Sequence, residues 1–208
     1  MMTPASLLLF AGTEFVLFLT PGPAVLLVMS QGLRGGARAS LLGALGIIAG
    51  NAIYFTVSAL GLGALIMTSA VLFYAIKWAG AAYLIYLGAK MIRESLRARS
   101  QTPAETVVSR HQWFRQGLLT QLANPKAIVF FTALLPQFID PQSEPALQLF
   151  VLGITSVCIE FPILVGYGVL AHQGGHLLRH GRAAPWIDRL AGTFLIGAGI
   201  KLAFVRRA

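Results

Sequence analysis

The chain has 208 residues, of which 56% are hydrophobic and only 11% are charged, and its mean hydropathy is +0.74. A soluble domain carries about 25% charged residues, so the composition excludes an ordinary soluble protein and indicates a chain folded in a lipid bilayer. The net charge is +9. Because the basic residues lie between apolar stretches, they indicate membrane topology and contact with anionic lipid rather than nucleic-acid binding. Cys158 is the single cysteine, so no disulfide can form within the chain.

Six apolar stretches are long enough to be membrane spans, because a span requires about 20 mostly apolar residues. We predict them at about residues 7–30, 40–66, 71–92, 117–139, 146–170 and 187–205. No lysine or arginine precedes Arg34, so the first stretch lacks the basic segment of a signal peptide and is predicted to be retained. The longest polar segment, about residues 93–116, is predicted to be a solvated cytoplasmic linker.

Arginines are concentrated in three of the loops between these stretches, namely the first, the third and the fifth. By the positive-inside rule those loops are cytoplasmic, so six spans place both termini outside. Arg206 and Arg207 near the C-terminus conflict with this orientation. We keep the predicted orientation because the first helix usually dominates it.

Proline motifs interrupt the first and the fourth stretch. One is Thr20-Pro21-Gly22-Pro23 and the other is Asn124-Pro125-Lys126-Ala127. Proline removes a backbone donor, and in lipid the freed groups are tolerated only where protein or a water-filled cavity satisfies them. Paired interruptions in two halves of a chain point to a transporter's binding site, and the half-helix N-terminus after each break suits a substrate carboxylate. The alternative is that each proline only bends a helix for packing.

The two halves of the chain resemble each other. Tyr83 to Lys90 reads like Phe194 to Lys201 at an offset of 111, and the proline motifs align at an offset of 103. Three spans per repeat is an odd number, so the second repeat must insert upside down, as in many secondary transporters. We therefore predict one all-α integral membrane domain of six transmembrane helices, with repeat one at about residues 1–95 and repeat two at about 117–208. Chance similarity among apolar helices is the alternative.

Four features fall near one level of the membrane when depth is counted at about 1.5 Å per residue: Pro21, Asn51, Lys126 and Glu160. A charge at the centre of a span costs about 2.5–3.5 kcal/mol, so such residues usually face a cavity or a partner. Lys126 and Glu160 are therefore a candidate pair, either functional or a structural ion pair. We predict that the substrate site is lined by residues of both motifs and by Asn51: Thr20, Pro21, Gly22, Pro23, Asn51, Asn124, Pro125 and Lys126.

Proton coupling is assigned to carboxyl groups within the spans. Glu160 is the acidic residue nearest the midplane, and Glu14 is the second candidate. Glu14 and Lys77 are expected at similar depth, where they either pair near an outer gate or, as we favour, Lys77 extends to the interface instead. His172, His176 and His180 are spaced by four, but Gly174 and Gly175 interrupt that helix, so no metal site and no cofactor are predicted. Phosphate-binding loops and hydrolase motifs are absent, so an enzyme is not predicted.

The motifs together resemble the lysine exporter (LysE/RhtB) superfamily of bacterial amino-acid exporters. The resemblance rests on Thr20 to Pro23, on Gly35-Gly36 with Arg38, on Trp78 to Gly88, and on Asn124 to Ala127 followed by Leu135 to Phe138. It implies a six-span exporter of the inner membrane that is driven by the proton gradient, in a branch that handles homoserine, threonine, leucine and similar amino acids. Glu160 matches the acidic residue often found in the fifth span. Ala24 stands where the family commonly has asparagine, which puts substrate choice in doubt.

We therefore predict a secondary transporter that exports small neutral amino acids from the bacterial cytoplasm by proton antiport. Its expected partners are the amino acid, protons and membrane lipid, and a homodimer is left open. Three alternatives are kept: a divalent-cation exporter, a membrane-embedded enzyme acting on lipids, and a scaffold that transports nothing. The scaffold is disfavoured because it would not need proline breaks and charges at one membrane level.

Overall fold

The computed structural model describes residues 3–60, 70–97, 109–140, 143–177 and 183–204. All regular secondary structure in these ranges is helical, which confirms the all-α prediction. Seven α-helices are present there: α1 (Pro4–Leu19), α2 (Pro23–Ala59), α3 (Ala70–Arg97), α4 (Arg110–Leu122), α5 (Pro125–Val129), α6 (Pro145–Leu177) and α7 (Ala183–Ala203). A π-helical turn, Phe130–Leu134, and a 3-10 turn, Leu135–Phe138, follow α5.

The first apolar stretch is broken where the sequence predicts it. α1 ends at Leu19, and α2 begins at Pro23 with Gly22 as its N-cap residue in extended backbone. Proline suits the first position of a helix because no intrahelical partner is needed for its missing N–H. Residues 20–22 form the first break, and this name is kept below.

Gly36 divides α2 into two arms, residues 23–35 and 37–59. Its φ of 73° lies in the left-handed region that favours glycine. The arms fold back against each other, since Gln31 lies against Gly43, and Val28 and Ile47 belong to one buried cluster. The first two predicted stretches are therefore joined by a single glycine turn rather than by a loop from residue 31 to 39. The C-terminal part of the second stretch, residues 61–66, lies outside the described residues.

The fourth stretch also contains its predicted break, at Ala123 and Asn124 between α4 and α5. These two residues form the second break. The helix before it begins earlier than expected, because α4 starts at Arg110, within the segment assigned to the polar linker. Trp113 explains the difference: it is buried against Gly35, so this turn of helix is packed rather than solvated.

Glycines allow close packing of the long helices. Gly43 of α2 lies against Gly117 of α4. Gly88 of α3 lies against Gly192 of α7, and Ala81 lies against Gly199, so these two helices are antiparallel. Leucines of α3, α7 and the first arm of α2 form a buried cluster beside that contact, among them Leu27, Leu84, Leu195 and Leu202.

By length and composition, two helices in the described ranges are able to cross a membrane: Pro145–Gly174, and Pro23–Ala59, whose second arm, residues 37–59, is long enough for a span by itself. The pair Arg110–Leu122 and Pro125–Phe138, bent by 45°, makes a third if it forms one span. Large apolar side chains are exposed on several helices, as expected of surfaces that face lipid: Leu8, Val71, Phe150 and Leu170. The six-span arrangement and its inverted repeat stay predictions.

Candidate functional site

A cavity of about 40 Å³ lies between the two breaks. We call it the central cavity. It is enclosed by the end of α1, both arms of α2, the junction of α4 and α5, and the middle of α6. Its lining is apolar except for one cation, one carboxyl group and three side-chain amides. The lining residues are Leu17, Phe18, Gly22, Ala24, Val25, Asn51, Gln121, Asn124, Lys126, Ala127, Phe130, Phe131, Glu160, Ile163 and Leu164.

Five of the residues predicted from the sequence line this cavity: Gly22, Asn51, Asn124, Lys126 and Glu160. The other residues of the proline motifs are not in its lining. Thr20 and Pro21 are exposed, and Thr20 donates its hydroxyl to the Val16 carbonyl at 3.0 Å. Pro23 is buried and Pro125 is half-buried, each at the first position of its helix. These prolines therefore shape the breaks without facing the cavity.

A chain of hydrogen bonds connects the second break to Glu160. The backbone N–H of Lys126 donates to Asn124 Oδ1 at 3.1 Å, and Asn124 Nδ2 donates to Gln121 Oε1 at 3.0 Å. Gln121 Nε2 donates to Asn51 Oδ1 at 2.6 Å, and Asn51 Nδ2 donates to Glu160 Oε2. Every donor points toward the carboxyl group, so the bonds polarise one another in one direction. We call this series the amide chain.

Gln121, which the sequence suggests either lines a polar path or bonds to a neighbouring backbone, is a member of the amide chain. It is 3% exposed and lies three residues before Asn124, so both side chains extend from the same face of the chain. Its role depends on Asn51, which comes from a helix 70 residues earlier.

Lys126 connects the cavity to the first break rather than to Glu160. Its ammonium group donates to the carbonyl of Leu17, and to the carbonyl of Thr20 at 3.2 Å. α1 ends there, so neither carbonyl has the partner four residues on that a continuing helix would supply, although Leu17 also accepts from the Thr20 N–H at 3.2 Å. Lys126 and Glu160 thus share the cavity, but no direct ion pair joins them in the described part of the chain. The candidate pair of the sequence analysis is a pair across a cavity.

Glu14 is fully buried and lies outside the lining of the central cavity. Ser156 donates its hydroxyl to Glu14 Oε1 at 2.9 Å, while Oε2 has no hydrogen-bond partner within the described residues. Ser156 and Glu160 are four residues apart on α6, so they share one face of that helix and the two carboxyl groups are neighbours. Glu14 therefore belongs to the surroundings of Glu160.

Of the two alternatives for Lys77, the structure does not show the pairing with Glu14 within the described residues. Lys77 donates to the carbonyl of Ala203 at 3.1 Å and its ammonium group lies 4.9 Å from the centres of the Tyr74 and Trp78 rings. The reason is the packing of the helices: α1 contacts α6, whereas α3 contacts α7.

Of the three spaced histidines, only His172 has a described side chain, and it lies against Gly36. The side chain of His176 and the whole of His180 lie outside the described residues. Within the described ranges, no group of three or more histidine, cysteine, aspartate or glutamate side chains is placed to hold a metal ion.

Comparison with known proteins gives the family. The LysE type translocator family matches residues 15–206. The chain belongs to this family. It is 38% identical to a membrane protein of Vibrio cholerae over 92% of this chain and 93% of the relative. It is 33% identical to the homoserine/homoserine lactone efflux protein of Salmonella typhimurium, over 94% of this chain and 95% of the relative.

The leucine efflux protein of Salmonella typhimurium is also 33% identical, over 92% of this chain and 91% of the relative. No solved structure matches. These relatives confirm the resemblance found in the sequence, and with it a membrane protein of a transporter family rather than an enzyme.

Proposed function

We propose that this chain exports small neutral amino acids of the homoserine, threonine and leucine class from the bacterial cytoplasm across the inner membrane, by proton antiport. The central cavity is its substrate site. One observation carries the proposal most: a lysine and a glutamate from different helices line one cavity at the point where two helices are broken. The family and the names of two relatives, which are efflux proteins for homoserine and for leucine, support the substrate class.

The cavity offers a place for each charge of an amino-acid zwitterion. The arm of α2 that begins at Pro23 has no side-chain cap at its N-terminus, where Gly22, Ala24 and Val25 line the cavity. That helix end and the Lys126 ammonium suit the carboxylate, because both present positive charge. Glu160 suits the substrate ammonium. The apolar walls, which include Phe130, Phe131 and Leu164, suit a short uncharged side chain.

The cavity must enlarge to accept such a substrate. A water molecule needs about 10–15 Å³ of cavity volume, so the central cavity of about 40 Å³ holds roughly three. A leucine or homoserine molecule is larger than that. We infer that the breaks provide the movement, since a helix without hydrogen bonds across residues 20–22 bends more easily than a continuous one.

Antiport follows when substrate and proton compete for one carboxyl group. Glu160 is 2% exposed, so its charge is tolerated only while a partner balances it. The substrate ammonium provides that balance from the cytoplasmic side, and a proton provides it from the outer side. Asn51 donates to the carboxylate and holds it in place. Each cycle then exchanges the amino acid, a zwitterion that is neutral overall, for a proton.

The antiparallel pair α3 and α7 supports the inverted repeat. At the offset of 111, Gly88 corresponds to Gly199 and Ile85 corresponds to Ile196. Ile196 lies against Gly88, and Ile85 lies against Gly199, so corresponding residues make reciprocal contacts. A two-fold axis between the helices produces such contacts, and one in the membrane plane relates inverted repeats.

The proposed topology has six spans with both termini outside and a cytoplasmic linker. A reporter fused after Gln101 is expected to read cytoplasm, and one fused after Ala208 is expected to read periplasm. A linker and a C-terminus that both read cytoplasm would rule out the inverted repeat, because the three spans of repeat two place them on opposite sides of the membrane.

Transport is tested with purified protein in liposomes loaded with radiolabelled L-homoserine, L-threonine or L-leucine. We expect efflux of at least one of them to be faster with an acidic exterior than at equal pH, and a protonophore to remove the difference. Protein-free liposomes are the control. Efflux that ignores the pH gradient would refute the antiport, and efflux of none of the three would refute the substrate class.

A further inference from the structure

A second cavity, also of about 40 Å³, lies between the first arm of α2, α3 and α4. Two cations, three side-chain amides and a hydroxyl group contribute to its lining, so its character differs from that of the apolar central cavity. We call it the basic cavity. It is lined by Leu27, Ser30, Gln31, Arg34, Leu87, Lys90, Met91, Gln112, Trp113 and Gln116.

The polar side chains of the basic cavity suit an anion. Arg34 and Lys90 come from different helices and supply positive charge to the lining. Gln31 is 1% exposed and fixed in place, because its Nε2 donates to the Trp113 carbonyl and to Gln116 Oε1, each at 3.2 Å. The cavity therefore has a built polar wall rather than a set of mobile surface lysines. Arginine, lysine and amide donors together are the usual ligands of a carboxylate or a phosphate.

The two cavities lie in series along one helix. Ala24 lines the central cavity, whereas Leu27 and Gln31 line the basic cavity. These three residues are spaced by three and four, so they share one face of the first arm. Ala24 and Gln31 are separated by about 10 Å along the helix axis. Leu27 lies between them, 1% exposed, in the position of an apolar barrier.

We propose that the basic cavity is the entry site of the transporter, which binds the carboxylate of the amino acid before it passes Leu27 into the central cavity. This inference rests on the proposed function. It places the entry site at the end of the molecule that carries Arg34 and Arg38, which the positive-inside rule assigns to the cytoplasm. An amino acid and an anionic lipid headgroup share this anionic chemistry, and the experiment separates them.

The first measurement is binding, which does not depend on transport. Replacing the exposed Trp78 and Trp186 with phenylalanine leaves Trp113, in the wall of the basic cavity, as the only tryptophan of the chain. L-homoserine added to this protein in neutral detergent is expected to change its fluorescence and to saturate. Homoserinol, which lacks the carboxylate, is expected to leave it unchanged.

Charge-removing variants then locate the bound carboxylate. We expect Lys90→Gln and Arg34→Gln each to weaken the homoserine response about 10-fold, the effect of one charge-assisted hydrogen bond. Arg93→Gln is the matched control, because Arg93 is exposed on α3 one turn after Lys90 and does not line the cavity. Equal responses in all three variants would overturn the proposal. A response to phosphatidylglycerol but not to homoserine would assign the cavity to lipid phosphate and overturn it as well.

The second measurement is export from liposomes of neutral lipid. The same two variants are expected to raise the KM on the cytoplasmic side about 10-fold with little change in the maximal rate, because the entry site is not the site of exchange. If the parent protein transports well and the two variants have the same KM as the parent, the entry site is refuted and the proposed function stands. A parent that transports nothing would refute the proposed function, while the fluorescence titration would still decide what the basic cavity binds.

Discussion

The two helix breaks have similar sequences but are stabilised in different ways. At the second break, Asn124 caps the following helix with its own side chain. At the first break, Gly22 has no side chain to do so. The carbonyls at the end of α1 accept from side chains of the other half of the chain: Leu17 and Thr20 accept from Lys126, and Leu19 accepts from Tyr167 at 3.0 Å.

The difference indicates which break is able to move. A break that is capped locally keeps its geometry whatever its surroundings do. A break held by Lys126 loses that contact whenever the ammonium group turns to another acceptor. A substrate carboxylate in the central cavity is such an acceptor, so binding and the release of α1 become one event. We infer that the second break is the fixed side of the site and the first break is the movable side.

The largest effect is expected at Glu160, where the amide chain from the fixed break ends. Glu160→Gln keeps the shape and an acceptor oxygen for Asn51 but does not exchange a proton. Proton-driven export in liposomes should fall to the level of protein-free liposomes, while exchange of internal for external amino acid continues. Glu144→Gln, at an exposed position, is the control. If Glu160→Gln exports against a gradient with the parent's pH dependence, Glu160 does not exchange the proton and Glu14 becomes the candidate.

The next effect is expected at Lys126, which holds the movable break. Lys126→Met removes the charge and both hydrogen bonds, so export should fall about 10- to 100-fold. Loosening of the break is measured separately by thiol labelling of Thr20→Cys in a Cys158→Ser background, which has no other cysteine. We expect faster labelling in Lys126→Met, and no change in Lys201→Met, a variant of an exposed lysine at the end of α7. Loss of export with unchanged labelling would show that Lys126 binds substrate but does not hold the first break.

Two matched substitutions test the difference between the breaks through stability. Asn124→Ala removes the cap, which is worth about 1 kcal/mol, and leaves Gln121 Oε1 buried without a donor, which costs about 1–3 kcal/mol more. Gly22→Ala places a methyl group 3.8 Å from Lys126 Cδ, an ordinary contact, at a φ of −142° that alanine adopts. It should change stability by less than about 0.5 kcal/mol. Thermal unfolding of the purified variants measures both, and equal losses would contradict the comparison.

The sequence was sufficient to find the breaks and to group Asn51, Lys126 and Glu160, which line one cavity, because helical rise and proline chemistry are local properties. The partners of these residues were not predictable in the same way. Lys126 shares its cavity with the Glu160 carboxyl group, yet the packing of α1 directs its ammonium group to the carbonyls of Leu17 and Thr20. The direction of the amide chain depends on the side-chain amides of Asn51 and Gln121, which sequence spacing does not orient.

The smallest effect is expected at Tyr167, the second residue that holds the movable break. Tyr167→Phe removes one neutral hydrogen bond to Leu19 and leaves the ring, and such bonds within membrane proteins average about 0.6 kcal/mol. That energy corresponds to a change of about 3-fold in an equilibrium, so labelling of Thr20→Cys should accelerate by about that factor, with export nearly unchanged. Tyr86→Phe, at an exposed tyrosine of α3, provides the reference.

Because the Tyr167 hydroxyl has no charge and does not face the central cavity, substrate does not compete for it. The acceleration in Tyr167→Phe should therefore be independent of substrate, whereas in the parent protein substrate itself should accelerate labelling by drawing Lys126 away. A parent protein whose labelling ignores substrate would contradict the movable break, even if both variants behave as expected.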